Sequence, residues 1–300
     1  MTPVADRTPQ APGTTGVFPW TSVLWFGLLL ILCYWPVLTR LVNQWETDED
    51  MGHGFFVPAI AGYIVWSRRD DLATIPAKTN YWGLALVLYA AVQLVIATLG
   101  AELFLARTAF IFSIIGSVLF IGGWNWVRAL AFPLFLLFFM VPIPAILYNQ
   151  ITFPLQQIAS RAAEFTLTLI GIPVFREGNI LELPDGQRLQ VVEACSGIRS
   201  LLTLTFLSLV YGYFFEKRTW IRVVLFLSTV PIAIIANAGR VTITGFLANI
   251  DPELSRGFFH TASGWMIFMI ALIIMAGVHQ AITRFYSYLY APRPVRISEE

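Results

Sequence analysis

The sequence predicts an all-α polytopic membrane protein with about eight transmembrane helices. Of its 300 residues, 57% are hydrophobic and only 12% are charged, and the mean hydropathy is +0.70. This composition excludes an ordinary soluble domain. The formal net charge of +1 and the lack of a basic, aromatic-rich stretch also argue against a protein that binds nucleic acid.

Eight apolar segments account for the predicted spans. A hydrocarbon core of about 30 Å requires roughly 20 residues of helix, and most of the segments have this length. The second segment is shorter and is included because the charges on its two sides differ in sign. The predicted spans are 18–38, 55–66, 81–100, 103–122, 126–147, 196–215, 220–241 and 260–284.

One membrane-embedded domain is predicted between two tails. Residues 1–17 are rich in Pro, Thr and Gly, which predicts a disordered N-terminal tail. Residues 18–284 hold all the spans, and the first apolar run is too long for the core of a signal peptide, so we expect it to remain as an anchor. Residues 285–300 form a basic tail that is predicted to be cytoplasmic.

The charges of the loops predict the orientation of the spans. Lysine and arginine accumulate in cytoplasmic loops. The loop after the first span is acidic, and the loop after the second span is basic. Their charged residues include Glu46, Asp48, Glu49 and Asp50 in the first loop and Arg68, Arg69 and Lys78 in the second. The first loop is therefore predicted to face outward and the second inward.

Two segments between the fifth and sixth spans are predicted to lie at the outer surface. Residues 151–172 are moderately apolar but carry two glutamines, an arginine and a glutamate, which favours an interfacial amphipathic helix. Residues 175–192 contain two alternating segments around a Pro-Asp-Gly turn, which predicts a small extracytoplasmic β-hairpin. This hairpin could form one wall of a cleft for an extended peptide, or it could be a structural flap.

Cys195 lies where a polar, strand-like segment meets an apolar one, in the sequence LQVVEACSGIRSL. At the first turn of a helix, unpaired backbone N–H groups and the positive end of the helix dipole favour a thiolate. Arg199 would add positive potential on the same face, and Ser196 and Gly197 would let a substrate come close. The alternative is a structural cysteine followed by an arginine that snorkels.

Arg240 lies near the predicted outer end of the seventh span, in the sequence NAGRV. A guanidinium within an apolar segment is costly unless it is paired or functional. Asn237 lies on the same helical face and can hydrogen-bond the arginine, and Pro231 can kink the helix. The alternative is an interfacial arginine that only anchors the helix.

His260 begins the last predicted span, which descends from the outer surface. Three helices are therefore predicted to present Cys195, Arg240 and His260 at one level of the membrane. A cysteine peptidase or acyltransferase needs a thiolate, a base that later protonates the leaving group, and a positive group for the tetrahedral oxyanion. The three side chains match these roles, although a lone histidine at a helix start is more often a cap.

Two further residues are weaker candidates for the site. Glu193 could orient His260 or meet a polar group of a substrate, or it could be a solvated hairpin residue. His53, beside Asp48, Glu49 and Asp50, could help to bind a substrate or form a metal-like cluster, or it could be a satisfied histidine in a solvated loop. Two cysteines without a CxxC motif and three histidines without zinc spacing predict no metal site, and no cofactor is expected.

The motifs EACSGIRSL around Cys195, NAGRV around Arg240 and HTASGW beginning at His260 follow one another along the chain. Their order and spacing resemble those of the exosortase/archaeosortase family of multi-spanning membrane transpeptidases. The stretch DMGHGFFVP, from Asp50 to Pro58, is similar to a further feature of that family.

This resemblance implies an enzyme that cleaves secreted proteins near a C-terminal sorting signal of the PEP-CTERM type. Cys195 would form a thioester with the target, Arg240 would stabilise the oxyanion, and His260 would act as general acid and base. The protein would lie in the bacterial inner membrane with its site facing the periplasm. Its partners would be the secreted targets, membrane lipids, and an acceptor that could be water, a lipid amine or a saccharide.

Two other classes of protein stay open on sequence alone. A transporter or membrane scaffold could use Arg240 and His260 to line a path, although the sequence has no internal repeat and its ionisable residues cluster at one surface. A membrane acyltransferase could use the same cysteine on a lipid donor. It would then carry a fatty acyl thioester instead of a peptidyl one.

Overall fold

The structure is a computed structural model and describes residues 20–190, 197–251 and 257–290. The chain divides into two compact units, the first ending at Pro142 and the second beginning at Ile143. Both units are mainly helical, and the sheet among the described residues belongs to the second. The predicted tail 1–17 lies outside the described residues.

The first unit consists of helices that are joined by short connections. Its α-helices are α1 Trp20–Cys33, α2 Trp35–Thr47, α3 Phe56–Ser67, α4 Arg69–Thr74, α5 Tyr81–Leu99, α6 Leu103–Ala129 and α7 Ala131–Leu136. Two 3₁₀ helices, Glu49–Phe55 and Leu137–Met140, lie between α2 and α3 and after α7. Helices α1 and α2 are bent by 76° at Tyr34. A proline in the first turn of α2 explains this break, because proline has no N–H to continue the α1 ladder.

Polar contacts between buried side chains tie the helices of the first unit together. Gln93 of α5 donates through Nε2 to Oγ1 of Thr108 at 2.8 Å and to the carbonyl oxygen of Leu105 at 2.9 Å, both in α6. The Tyr34 hydroxyl lies 2.8 Å from Oγ of Ser113, which joins the α1–α2 bend to α6. Such contacts specify helix packing in a bilayer, where lipid supplies no hydrophobic driving force between helices.

The second unit contains long helices and a small sheet. Its helices are α8 Ala145–Leu169, α9 Gly197–Phe215, α10 Thr219–Ile250 and α11 Gly257–Tyr290, and its strands are β1 Phe175–Glu177, β2 Ile180–Glu182 and β3 Arg188–Gln190. Helix α10 packs against α8, α9 and α11 and is therefore the central helix of this unit. The last helix continues through residues 285–290, the beginning of the predicted tail 285–300.

Several helices are long and apolar enough to cross a membrane. Among the described residues, four meet this criterion by length and composition, and six do so if each of two bent helix pairs forms one span. The four are Tyr81–Leu99, Leu103–Ala129, Thr219–Ile250 and Gly264–Leu289. The prediction of a polytopic, mainly helical membrane protein is therefore confirmed, whereas the number of eight spans stays a prediction.

Local sequence explains where the predicted spans and the observed helices differ. The segment predicted as span 126–147 contains α7, a 3₁₀ helix and an extended stretch, because prolines at 133, 142 and 144 interrupt the helical ladder. The predicted end of a span at Gly122 is supported by the next residue, Gly123, which has a non-helical φ of 75°. The shortest predicted span, 55–66, corresponds to the 12-residue helix α3.

Helix α8 covers most of the segment 151–172 that was predicted as an interfacial amphipathic helix. Its buried face includes the polar residues Gln156 and Ser160, whereas the large apolar side chains of Phe153 and Phe165 are exposed. A surface helix in water shows the opposite arrangement. The exposed apolar face suits contact with lipid, and the depth of α8 in the membrane stays a prediction.

The sheet has three antiparallel strands where a two-stranded hairpin was predicted. Strands β2 and β3 pair across the predicted turn, in which Gly186 has a φ of 81° and its N–H donates to the carbonyl of Leu183 at 2.9 Å. Strand β1 adds to β2 through a Gly178-Asn179 connection. A Gly-Asn pair between two alternating segments is itself a hairpin signal, so the sequence carried the information for this third strand.

Candidate functional site

A buried polar face of α10 forms the described part of the candidate site. Asn237, Arg240 and Thr244 are only 6%, 9% and 4% exposed. Their spacing of three and four residues places them on one side of the helix. Among the described residues, Nδ2 of Asn237 and Oγ1 of Thr244 have no hydrogen-bond partner. Because buried polar groups in proteins are normally paired, this face is suited to receive polar groups.

The guanidinium of Arg240 lies directly against the backbone of α11 at Gly264. A Cβ atom added to Gly264 would lie 3.1 Å from Nη2 and 3.2 Å from Cζ of Arg240. A glycine at this position therefore lets the planar guanidinium rest on the helix surface. Gly264 follows His260 by four residues, so both positions lie on the same face of α11. The structure thus brings Arg240 within one helical turn of the backbone position of His260.

The sheet packs beside the turn of α10 that carries Arg240. Leu181 of β2 forms a buried cluster with Val241 of α10 and with Ala159 and Ala163 of α8. Arg176 of β1 also pairs with Glu164 of α8, with Nε and Oε2 2.6 Å apart. The sheet is therefore held between α8 and α10 next to the polar face. Its suggested role as the wall of a peptide cleft stays a prediction.

The predicted nucleophile and its nearest neighbours lie outside the described residues. This applies to Glu193, Cys195 and Ser196. Helix α9 begins at Gly197, two residues after Cys195 in the chain, and Arg199 lies partly buried in its first turn. His260 lies in the first turn of α11, but its side chain is outside the described part of the structure. The roles assigned to these residues stay predictions.

His53 belongs to the first unit and sits in the 3₁₀ helix Glu49–Phe55. Its side chain is 7% exposed, and Nε2 lies 3.2 Å from the carbonyl oxygen of Phe139. Burial lowers the pKa of the His53 imidazole below its ordinary value, although hydrogen bonds to the backbone of Phe139 and Asp50 oppose this effect. Burial therefore favours the neutral form of this imidazole. Its proposed help in substrate binding stays a prediction.

The geometry of the polar face suits the stabilisation of a developing negative charge. A guanidinium fixed in a buried setting interacts with an oxyanion more strongly than one in water, and it is already oriented before the reaction. Across the described residues, no group of three His, Cys, Asp or Glu side chains has the arrangement of a metal site. The contact of Arg240 with Gly264 places a fixed cation against the helix that contains His260.

Sequence reasoning missed two residues of this face. Thr244 lies one turn beyond Arg240 on the buried side of α10, and Gly264 forms the surface on which the guanidinium rests. The signal for Gly264 was its spacing of four from His260, which places a residue without a side chain on the histidine's own helical face. The signal for Thr244 was its i+4 relation to Arg240.

Comparison with known proteins identifies a family for this chain. A family model described as transmembrane exosortase matches residues 45–277, which is well over half of the chain. This range includes the polar face of α10, Gly264 and the positions of Cys195 and His260. No curated protein and no solved structure was found to match the chain.

Proposed function

The chain belongs to the transmembrane exosortase family, and from this premise we propose that it is a cysteine-dependent membrane peptidase or transpeptidase. Its substrates are secreted proteins, which it cleaves near a C-terminal sorting signal of the PEP-CTERM type. The observation that carries this proposal is the contact of the buried Arg240 guanidinium with Gly264, one turn from His260. A fixed cation at that point meets the need of acyl transfer for an oxyanion partner.

In the first half-reaction, the Cys195 thiolate attacks the carbonyl carbon of the scissile peptide bond and forms a carbon–sulfur bond. The carbonyl oxygen takes the negative charge, and Arg240 stabilises it. The carbon–nitrogen bond then breaks, and protonated His260 gives its proton to the leaving amine. The products are a thioester on Cys195, a released C-terminal fragment and a neutral His260.

In the second half-reaction, neutral His260 removes a proton from the acceptor as the acceptor attacks the thioester carbon. The same oxyanion forms again next to Arg240, and the carbon–sulfur bond breaks. The thiolate of Cys195 and the protonated form of His260 are thereby restored. Water as acceptor gives a peptidase, whereas an amine or a hydroxyl of a lipid or saccharide gives a transferase.

Mass spectrometry of a target protein after co-expression tests this function. We expect the target to end at a new C-terminus near its sorting signal, with either a free carboxylate or the mass of an attached acceptor. A target that keeps its full C-terminus would contradict the proposal. A fatty acyl group found on Cys195 in place of a peptidyl group would instead favour a membrane acyltransferase.

We also propose that the loop after α2 faces the outside of the inner membrane and that the loop after α4 faces the cytoplasm. The basis is the contrast between the acidic and basic loops. In a cysteine-free background, a membrane-impermeant thiol reagent should label Glu46→Cys but not Lys78→Cys in intact spheroplasts. Both side chains are exposed, and Asp48 is left unchanged because it caps the following 3₁₀ helix.

Detergent-treated membranes supply the control for this experiment, since both cysteines should then be labelled. Labelling of Lys78→Cys but not of Glu46→Cys in intact spheroplasts would reverse the proposed orientation.

A further inference from the structure

A buried cluster at one end of the second unit joins three helices through Glu216. This residue follows α9, and its carboxylate oxygen Oε2 lies 3.2 Å from Nε2 of His279 in α11. The other ring nitrogen, Nδ1, lies 2.8 Å from the hydroxyl of Tyr211 in α9. With a neutral imidazole, Nε2–H donates to the carboxylate and Nδ1 accepts from the tyrosine.

The third helix of the cluster is α10, which reaches Glu216 through its first turn. Nε of Arg222 donates to the backbone carbonyl of Glu216 at 2.7 Å. The backbone N–H of Arg218, immediately before α10, donates to Oε1 of the same residue at 2.8 Å. Glu216 therefore links the end of α9 and the first turn of α10 with His279 in the C-terminal half of α11.

The Glu216–His279 pair is well shielded from solvent, with side chains that are 9% and 12% exposed. A buried carboxylate is tolerated only when its oxygens are satisfied, and its partners are then held in a narrow range of positions. Burial alone would raise the pKa of the Glu216 carboxyl. The backbone N–H groups of Arg218 and Lys217 and the contact with His279 outweigh burial and lower that pKa below its ordinary value.

Because this pKa is lowered on folding, the carboxylate stabilises the fold at neutral pH. The contribution is lost as the pH falls from the ordinary pKa of a glutamate through the lower pKa of the folded state. The side chains of His279 in α11 and Arg222 in α10 lie against Glu216, whereas Lys217 and Arg218 contact its carboxylate through their backbone N–H groups.

Sequence distances relate this cluster to the candidate catalytic residues. In α10, Arg222 and Arg240 are 18 residues apart, and in α11, His260 and His279 are 19 residues apart. At 1.5 Å per residue these separations are about 27 Å and about 29 Å. In the sequence, Cys195 and Glu216 are 21 residues apart, and the 19-residue helix α9 lies between them, with a length of about 29 Å. Each separation is close to the thickness of the hydrocarbon core, about 30 Å.

We propose that Glu216, His279 and Tyr211 are positioning residues that set the axial register of α9, α10 and α11, and so bring Cys195, Arg240 and His260 to one level at the opposite end. This inference rests on the proposed function. Helices in lipid have little hydrophobic reason to keep one register over another, so polar contacts at their ends fix it. A shift of about 1 Å in a catalytic group can cost about 10²-fold in rate.

Kinetics of three variants test the positioning role. Glu216→Ala removes both acceptor oxygens and should lower kcat about 10²-fold, with KM changed only a few-fold. Glu216→Gln keeps the shape and one acceptor oxygen and should recover part of this loss. Lys217→Gln is the matched control, because its side chain is exposed and its backbone N–H is retained. It should leave kcat unchanged.

A cross-link measures the register without any need for activity. Oγ1 of Thr205 in α9 and Oγ1 of Thr229 in α10 lie 3.4 Å apart, so the two side chains are in direct contact across the helix pair. In a background with Cys33→Ala and Cys195→Ala, the pair Thr205→Cys and Thr229→Cys should form a disulfide on mild oxidation. Adding Glu216→Ala should reduce the yield several-fold, and adding Lys217→Gln should not.

Unchanged cross-linking together with an unchanged kcat in Glu216→Ala would overturn the positioning role. An equal loss of activity in Glu216→Ala and Glu216→Gln, accompanied by a loss of folded protein, would also overturn it in favour of a structural role. Failure of the proposed function would be recognised by a different result, namely normal cleavage of the target by the Cys195→Ala protein. The cross-linking yield does not depend on activity, so it tests the positioning role whether or not the proposed function is correct.

Discussion

Replacement of Cys195 by alanine is expected to abolish cleavage of the target while the protein still inserts into the membrane. Loss of the nucleophile in an enzyme that works through a covalent intermediate costs at least about 10⁴-fold in kcat, because its partners cannot act without it. Serine at this position should be almost as damaging, because a hydroxyl is far less ionised than a thiol at neutral pH. The measurement is an immunoblot of target processing in co-expressing cells, with the variant quantified in the membrane fraction.

Cys33→Ala is the matched control for this experiment. Cys33 ends α1 in the first unit and is exposed. The Cys33→Ala variant should process the target at the normal rate. Normal processing by Cys195→Ala would refute the thioester mechanism, whatever the Cys33 variant does.

The sequence singled out Arg240 as a candidate site residue, but it did not indicate what the side chain packs against. Arg240 was identified because a guanidinium in an apolar helix is costly, and in the structure both Arg240 and Asn237 are buried. The contact with Gly264 was not predicted, because it depends on how two helices that are distant in sequence cross. Residue pairs of this kind follow from tertiary packing and leave no periodic signal in either helix.

The same distinction applies to the fold. The length of the apolar runs alone identified the segments that form α5, α6 and α10, because an uninterrupted apolar run of about 20 residues is typical of a transmembrane helix. The length of the apolar run was less informative around α7, where prolines divide the run, because hydropathy does not show where a helix is interrupted. The role of Glu216 was also hidden, because a single glutamate after a helix is usually solvated and only the fold brings His279 to it.

Arg240→Lys is expected to lower kcat/KM about 10²-fold to 10³-fold, the range found when one donor to an oxyanion is lost. Lysine keeps the charge but not the planar, multiply donating guanidinium that rests on Gly264. Steady-state kinetics on a peptide that carries the sorting signal would measure the loss. An activity within a few-fold of wild type would mean that Arg240 only anchors the helix at the interface.

Gly264 offers a graded test of the same contact. Gly264→Ala puts a Cβ 3.1 Å from Nη2 of Arg240, so the guanidinium must move by a few tenths of an ångström, and Gly264→Leu requires a larger movement. We expect a small loss of kcat for alanine and a loss of about 10²-fold for leucine. Gly277→Ala is the matched control in α11, because a Cβ there meets no atom within 4 Å.

A double variant separates displacement of the arginine from general damage to α11. If Gly264→Leu acts by moving the guanidinium, it should cost little further activity once Arg240→Ala has already removed that group. Additive losses in the double variant would show that leucine disturbs the helix packing independently of Arg240. Strong non-additivity would identify the Arg240–Gly264 contact as the means by which α11 holds the cation next to the reacting carbonyl.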